Sequence, residues 1–311
     1  MQAEKLKILE NVLGDYRNSS NEFLFFCPRC KHHKLKLSIN IGKDCYKCWV
    51  CNYSGIGIRR LIQRHGDYED RKAWSNFDSR FDVSEFEKLL QEQVDQKEVT
   101  LKLPEEFRSL TTPSKSHAST KVRNYLHKRG LTDIDIANWK IGYCGSGELE
   151  ERVVIPSFNN DGYVNFFVAR AYGGHWRNYM NPKVPRNNII FNELFLDFSA
   201  AINIVEGVFD AIKAGLNSVP LLGCTLSNRS RLLREIVKSD TPVYLALDSD
   251  AERKSIDIIK ELLKYGVEVY KVDTSGYIDV GEMSKETFQE RKQNAFLIDS
   301  NNFLSYQLSK V

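Results

Sequence analysis

The sequence predicts a mixed α/β protein in three parts: a small β module, an α+β subdomain rich in basic residues, and an α/β domain around a parallel sheet. Three observations predict it. Two C-x2-C pairs fall within the first 51 residues, two β-like runs joined by a tight turn follow near mid-chain, and strand-like and helix-like segments alternate after Asn192.

The chain has 311 residues, 42% hydrophobic and 27% charged. That composition excludes wholesale disorder and leaves room for about two domains with cores of their own. Lys and Arg total 44 against 41 Asp and Glu, a formal charge of +3, so bulk charge names no partner. No apolar run approaches the roughly 18 residues of a membrane span, and the start, MQAEKLKILE, lacks the apolar core of a secretion signal. A cytoplasmic location is expected.

Residues 1–65 form the first expected domain. Cys27, Cys30, Cys45, Cys48 and Cys51 lie within 25 residues, with Cys144 and Cys224 apart. A secreted disulfide scaffold would be short and evenly cysteine-rich, so a metal site is the better explanation. Cys27-Pro-Arg-Cys30 and Cys48-Trp-Val-Cys51 are separated by 17 residues, the spacing of a structural zinc ribbon. Four thiolates would surround Zn²⁺ tetrahedrally and leave no open position, so the metal would organise a fold and do no chemistry. Cys45-Tyr-Lys-Cys48 is also a C-x2-C pair, and His32 or His33 could replace a ligand. The turn-like Asn52-Tyr-Ser-Gly55 favours Cys48 and Cys51, with Cys45 on a strand. Lys34–Ile41 reads as a β run. Arg29, Lys31, Lys34, Lys36, Lys43 and Lys47 are interleaved with Tyr46, Trp49 and Tyr53. Cations and aromatics together hold single-stranded nucleic acid by phosphate attraction and base stacking. The same residues could instead make a solvated face over a small aromatic core; for Trp49 both possibilities stand.

Residues 66–118 read as a charged linker with one helix. Ser84-Glu-Phe-Glu87 is a capping box, and Phe86, Leu89, Leu90 and Val94 share a face. In residues 119–195, Val122, Tyr125 and Leu126 mark a helix stopped by Gly130. Arg152–Ile155 and Tyr163–Val168 then form a hairpin through Asn159-Asn-Asp-Gly162.

Residues 196–290 alternate. Strands are expected at Ile202–Glu206, Val219–Leu222, Val243–Asp248 and Val267–Val272, and helices at Phe209–Ala214, Arg231–Lys238 and Glu252–Tyr265; residues 291–311 read as a tail. Glu206 ends one parallel strand, Asp210 follows four residues later, and Asp248-Ser-Asp250 ends another. Carboxyl ends of such strands line the ligand crevice. Acids gathered there repel one another unless a cation neutralises them, and oxygen donors select Mg²⁺ or Mn²⁺. Asp279 could add a further acid. Taken singly, a Glu-Gly or an Asp-x-Asp is a common turn element.

Together these residues resemble DnaG-type DNA primases, in particular compact bacteriophage forms. Val205-Glu-Gly-Val-Phe-Asp210 and Leu247-Asp-Ser-Asp-Ala251 are similar to the two signatures of the TOPRIM fold. Tyr125-Leu-His-Lys-Arg-Gly-Leu131, Trp139-Lys-Ile-Gly142, Arg152-Val-Val-Ile-Pro156, Ala169-Arg170 and Asn178-Tyr-Met-Asn181 resemble the basic RNA-polymerase subdomain. The cysteine pairs resemble the primase zinc-binding domain, and the likeness runs from about residue 23 to 285.

The resemblance implies templated synthesis of short RNA primers from ribonucleoside triphosphates on single-stranded DNA, for DNA replication. It implies catalytic acids at Glu206, Asp210, Asp248, Asp250 and Asp279, with Glu206, Asp248 and Asp250 on magnesium. Arg152 and Arg170, with Lys183 or Arg186, would face nucleotide phosphates or template. The linker would let the zinc module reach the active site of its own chain or of a neighbour, and a replicative hexameric helicase is the implied partner. Three positions depart from the family: Asn178 where a lysine is common, Glu252 where a glycine commonly follows the acidic pair, and Cys30 where bacterial members use histidine. A TOPRIM nuclease and a non-catalytic recombination-mediator module are the alternatives. The basic hairpin segment argues against the second, and a strand-passing topoisomerase would need a longer chain.

Overall fold

The computed structural model describes residues 2–19, 22–75, 77, 100–174, 176–227, 229–299 and 302–309. The helix expected from the Ser84 capping box lies outside the described residues. The chain divides into two compact units, residues 1–88 and 89–311.

In the first unit, helix Gln2–Leu13 buries Ile8, Leu9 and Leu13. It is followed by β1 (Arg17–Ser19), β2 (Glu22–Phe25), β3 (Leu37–Asn40), β4 (Cys45–Cys48) and β5 (Ser54–Ile56). These five pair in chain order as an antiparallel sheet. Helices Ile58–His65 and Tyr68–Ser75 complete the unit. Strands of three or four residues hold little sheet by themselves. Phe25, Leu37, Ile39, Leu61 and Ile62, all fully buried, supply a compact core. Tyr46 and Tyr53 belong to that core. Gly55 is required beneath Tyr46, because a Cβ there would lie 2.6 Å from the phenol oxygen.

The second unit carries two sheets. β6 (Phe107–Ser109), β7 (Gly142–Cys144), β8 (Arg152–Phe158) and β9 (Val164–Ala171) form an antiparallel sheet in that order. The expected hairpin is β8–β9, running Arg152↔Ala171 to Phe158↔Val164. Helix His117–Lys128 begins where the Ser116 hydroxyl accepts the Ser119 N–H, and it ends before Gly130 at φ +71°. Next come β10 (Ile202–Val205), β11 (Ser218–Pro220), β12 (Val243–Ala246), β13 (Val269–Lys271) and β14 (Phe296–Ile298). Their order is β11-β10-β12-β13-β14, parallel except for β14.

Helices Val208–Ala214, Arg231–Ser239 and Glu252–Lys264 join the parallel strands, close to their expected positions. All four residues of β10 are buried, as a sheet covered on both faces requires. The edge strand β14 lies in the segment that reads as a tail. One continuous core joins Val153, Ile155 and Phe166 of the antiparallel sheet to Val205, Phe209 and Ala246 of the parallel one, so the two sheets form one body. No described helix is long and apolar enough to cross a membrane.

Candidate functional site

Cys27 and Cys30 lie in the segment that turns after β2, while Cys48 ends β4 and Cys51 lies in the turn that follows it. The two turns are built alike. Lys31 (φ 50°) and Asn52 (φ 57°) are left-handed, and their N–H groups donate to the Cys27 and Cys48 carbonyls at 2.9 and 3.1 Å. Cys27 Sγ lies 3.7 Å from Cys51 Sγ, and Cys30 Sγ lies 3.8 Å from Cys48 Sγ. All four sulfurs fall within 4.8 Å of one another and none is in a disulfide. A tetrahedron with metal–sulfur bonds of about 2.3 Å has edges of about 3.8 Å. The quartet therefore fits a structural zinc. Burial pushes the Cys27 thiol up to about 12, so a neutralising dication is what makes its thiolate available.

Cys45 sits on β4, outside the quartet. His32 Nδ1 accepts the Lys34 N–H, and its ring stacks on His33 at 4.3 Å. Of the aromatics interleaved with cations, Tyr46 and Tyr53 are core residues, whereas Trp49 is 63% exposed. Lys47 Nζ stands 4.9 Å from the Trp49 ring.

The acids gather in the second unit for a topological reason. The order β11-β10-β12 means that the chain leaves β10 to one side and returns on the other. The crevice of a parallel sheet opens at such a switch point, beyond the strand carboxyl ends. The register pairs Val205 with Ala246, so Glu206 and Asp248 leave adjacent strands one and two residues beyond a matched pair.

Asp210 is 6% exposed, and both its oxygens accept backbone N–H groups. Oδ2 takes Gly207 at 2.7 Å and Oδ1 takes Gly281 at 2.8 Å. Asp210 thereby ties the turn that carries Asp279 to the end of β10. Asp279 caps that turn by accepting the Glu282 N–H at 2.9 Å. Burial, the Asp279 charge and then Asp248 push Asp210 up to about 7, against backbone donors that lower it. Burial, followed by Glu206, Asp279 and the exposed Asp250, pushes Asp248 up to about 6. All five predicted acids thus share one electrostatic cluster.

Glu206 Oε2 and Asp248 Oδ1 are buried and have no hydrogen-bond partner. Leaving such atoms unpaired costs about 1–3 kcal/mol or more each. Unpaired carboxylate oxygens are the type of donor that hard divalent cations take. The other Glu206 oxygen is engaged: Lys254 Nζ lies 2.6 Å from Oε1.

The predicted basic residues divide. Arg170, on β9, donates from Nε to the Tyr125 phenol oxygen at 2.9 Å and from Nη1 to Tyr179. Arg129 Nε donates to the same Tyr125 oxygen at 2.9 Å. Both guanidinium groups lie over Phe209, at 4.5 Å for Arg129 and 5.7 Å for Arg170, one residue from Asp210. Arg152 is 2% exposed and donates to the Asn178 carbonyl at 3.3 Å, so it braces the segment after β9 from inside. Lys183 is exposed and lines a cleft of about 630 Å³ with Lys102, Phe167, Arg177 and Met180. Arg186 is exposed and donates to the Leu222 carbonyl. Glu252 accepts the Tyr306 hydroxyl, docking helix Phe303–Leu308. Arg129, Tyr125 and Lys254 are absent from the sequence-derived site. The Arg-Gly pair at 129–130 was a local signal for the first, but Lys254 meets Glu206 from 48 residues away with no local signature.

A cysteine quartet on short antiparallel strands, followed by an antiparallel sheet that shares its core with a mostly parallel one, is similar in fold to the zinc-binding and RNA polymerase domains of solved DnaG-type primases. The comparisons agree. The DNA primase of Campylobacter jejuni is 26% identical over 294 residues, covering 78% of this chain and 47% of that protein. The solved zinc-binding and RNA polymerase domains of the Aquifex aeolicus primase superpose with a TM-score of 0.50 at 19% identity, covering 95% of this chain and 84% of that one. A DnaG primase catalytic domain bound to ssDNA gives a TM-score of 0.50 at 20% identity, covering 62% of this chain and 77% of that one. No family model matches. The chain spans about half the length of the curated DNA primases it matches.

Proposed function

We propose that the chain is a DNA primase, a DNA-directed RNA polymerase that joins ribonucleoside triphosphates into short primers on single-stranded DNA. The observation that carries this reading is the pair of orphaned buried oxygens, Glu206 Oε2 and Asp248 Oδ1, at the switch point of a primase-type TOPRIM sheet. When bound there, Mg²⁺ or Mn²⁺ would neutralise the cluster and hold phosphate oxygens for in-line attack by a primer 3′-hydroxyl.

The chain's own residues do the rest. Glu206 and Asp248 would supply the free carboxylate oxygens, and Asp250, exposed at the rim, would supply a further one. Asp210 holds the Asp279 turn against the end of β10. Arg129 and Arg170, steadied by Tyr125 beside Phe209, would receive the triphosphate and the charge that builds on departing pyrophosphate. Lys183 and Arg186 would contact phosphates along the template. Trp49, with Lys47 against its ring, would offer a stacking surface for a template base in the zinc module. Single-stranded DNA and ribonucleotides are the partners this chemistry needs, and the resemblance adds a replicative hexameric helicase.

Incubating the protein with mixed single-stranded DNA, ribonucleotides and Mg²⁺, then sequencing the products, tests this. Short RNAs complementary to the template are expected. Cleaved DNA made without nucleotides would assign a TOPRIM nuclease instead, and DNA binding with no product at all would assign a mediator-type module.

A further inference from the structure

Lys254 stands where local helix physics disfavours it. It lies in the first turn of helix Glu252–Lys264, where the helix dipole repels a cation. Its partner is the end of a different strand: Nζ is 2.6 Å from Glu206 Oε1, and both side chains are largely shielded, at 20% and 26% exposure. The same ammonium draws Asp248 down against the acids that push it up. A local rule broken beside an orphaned carboxylate oxygen points to a role in the site itself.

Resting on the metal-binding reading above, we propose that Lys254 is a built-in counter-ion that a divalent cation must displace from Glu206. With Lys254 on Oε1, only Oε2 of Glu206 is open to a metal. Full use of the carboxylate brings two cations to one group, and they repel. The ammonium, on a flexible four-carbon stem, is the one that can move. It would then face the open side of the crevice, where phosphate oxygens arrive. Lys254 is in this account a positioning residue that keeps the metal-free crevice intact and sets how much divalent cation is needed to fill it. Lys271, the neighbouring cation, does not duplicate it: its Nζ donates to Ser255 and lies 3.9 Å from Glu252.

The test is Mn²⁺ binding to the 311-residue chain, read by electron paramagnetic resonance, beside thermal melting of the metal-free protein. Lys254→Met is expected to bind Mn²⁺ roughly three- to tenfold more tightly than wild type and to melt at lower temperature without metal. Lys254→Arg is expected to keep affinity within about twofold of wild type, because the charge is retained. Unchanged affinity in Lys254→Met, or weaker affinity, would overturn the displacement role. Should Lys254→Met fail to fold, Lys254→Gln and the wild-type–Lys254→Arg comparison carry the same test. Asp248→Ala separates the two layers of the proposal. If wild type and Asp248→Ala bind Mn²⁺ equally, the metal-binding reading itself fails, whatever Lys254 does.

Discussion

The cysteine quartet and the acidic crevice are both gatherings of ligand atoms that would repel one another when ionised, yet they are built in opposite ways. The quartet is closed: four sulfurs from two matching turns, with contacts of 3.7 and 3.8 Å, already form the edges of a zinc tetrahedron. The crevice is open and unequal. Asp210 is held by two backbone N–H groups, Glu206 is half taken by a lysine, and two oxygens have no partner. A metal that only holds a fold can be satisfied entirely by protein. A metal that handles substrate must leave room for it, and the incomplete set at the crevice has that form.

The sharpest way to break the contrast is to remove each site. Structural zinc in small modules contributes about 10–16 kcal/mol of apparent binding free energy. Cys48→Ser, or a zinc chelator, should therefore unfold residues 2–75, read by limited proteolysis, while residues 100–299 stay protected. At the crevice the sign reverses. Asp248→Asn removes a like charge from the cluster and should raise the melting temperature while weakening Mn²⁺ binding by about tenfold or more. A fall in melting temperature would mean that Asp248 is a structural partner and not a repelled ligand.

The pH response sharpens the same difference. Burial and neighbouring acids raise Asp210 to about 7 and Asp248 to about 6. The folded chain thus binds those protons more tightly than the unfolded chain does. Their contribution to stability is fully present below about pH 4 and is lost as pH rises through about 6 to 7 when no cation is bound. A divalent cation competes with those protons. Its stabilising effect should therefore grow severalfold between about pH 5.5 and pH 8, measured as the Mn²⁺-induced rise in melting temperature. An effect flat across that range would contradict the assignment.

The arginine pair should give the smallest change. Tyr125→Phe removes the oxygen that accepts both Arg129 and Arg170. Hydrogen bonds to charged groups are worth about 1.5–3 kcal/mol. KM for ribonucleotides should rise about tenfold with kcat within about twofold; the opposite split would place Tyr125 in the chemistry.

Much of this was legible in the sequence, and what was not has physical causes. The strands at 202–205 and 243–246 announce themselves as buried apolar runs followed by acids, so the crevice could be placed before any coordinates. The zinc spacing could be read too, and the structure selects Cys48 and Cys51 because only their sulfurs close the tetrahedron with Cys27 and Cys30. β14 has three residues, and Phe296 is 55% exposed, leaving no periodic signal. Arg152 reads as a surface cation in a basic segment, but its place on the central strand β8 buries it. Lys254 carries no sequence signature, because a contact across 48 residues depends on the strand order and leaves no spacing to recognise.

The central claim is that the carboxylates beyond β10 and β12 serve templated RNA synthesis. Its most direct measurement is primer formation on single-stranded DNA by wild type and Asp248→Ala, with circular dichroism confirming that both fold. Template-complementary RNA from wild type, reduced about 10²-fold or more in the variant, is the predicted result. Undiminished priming by a folded Asp248→Ala would contradict it.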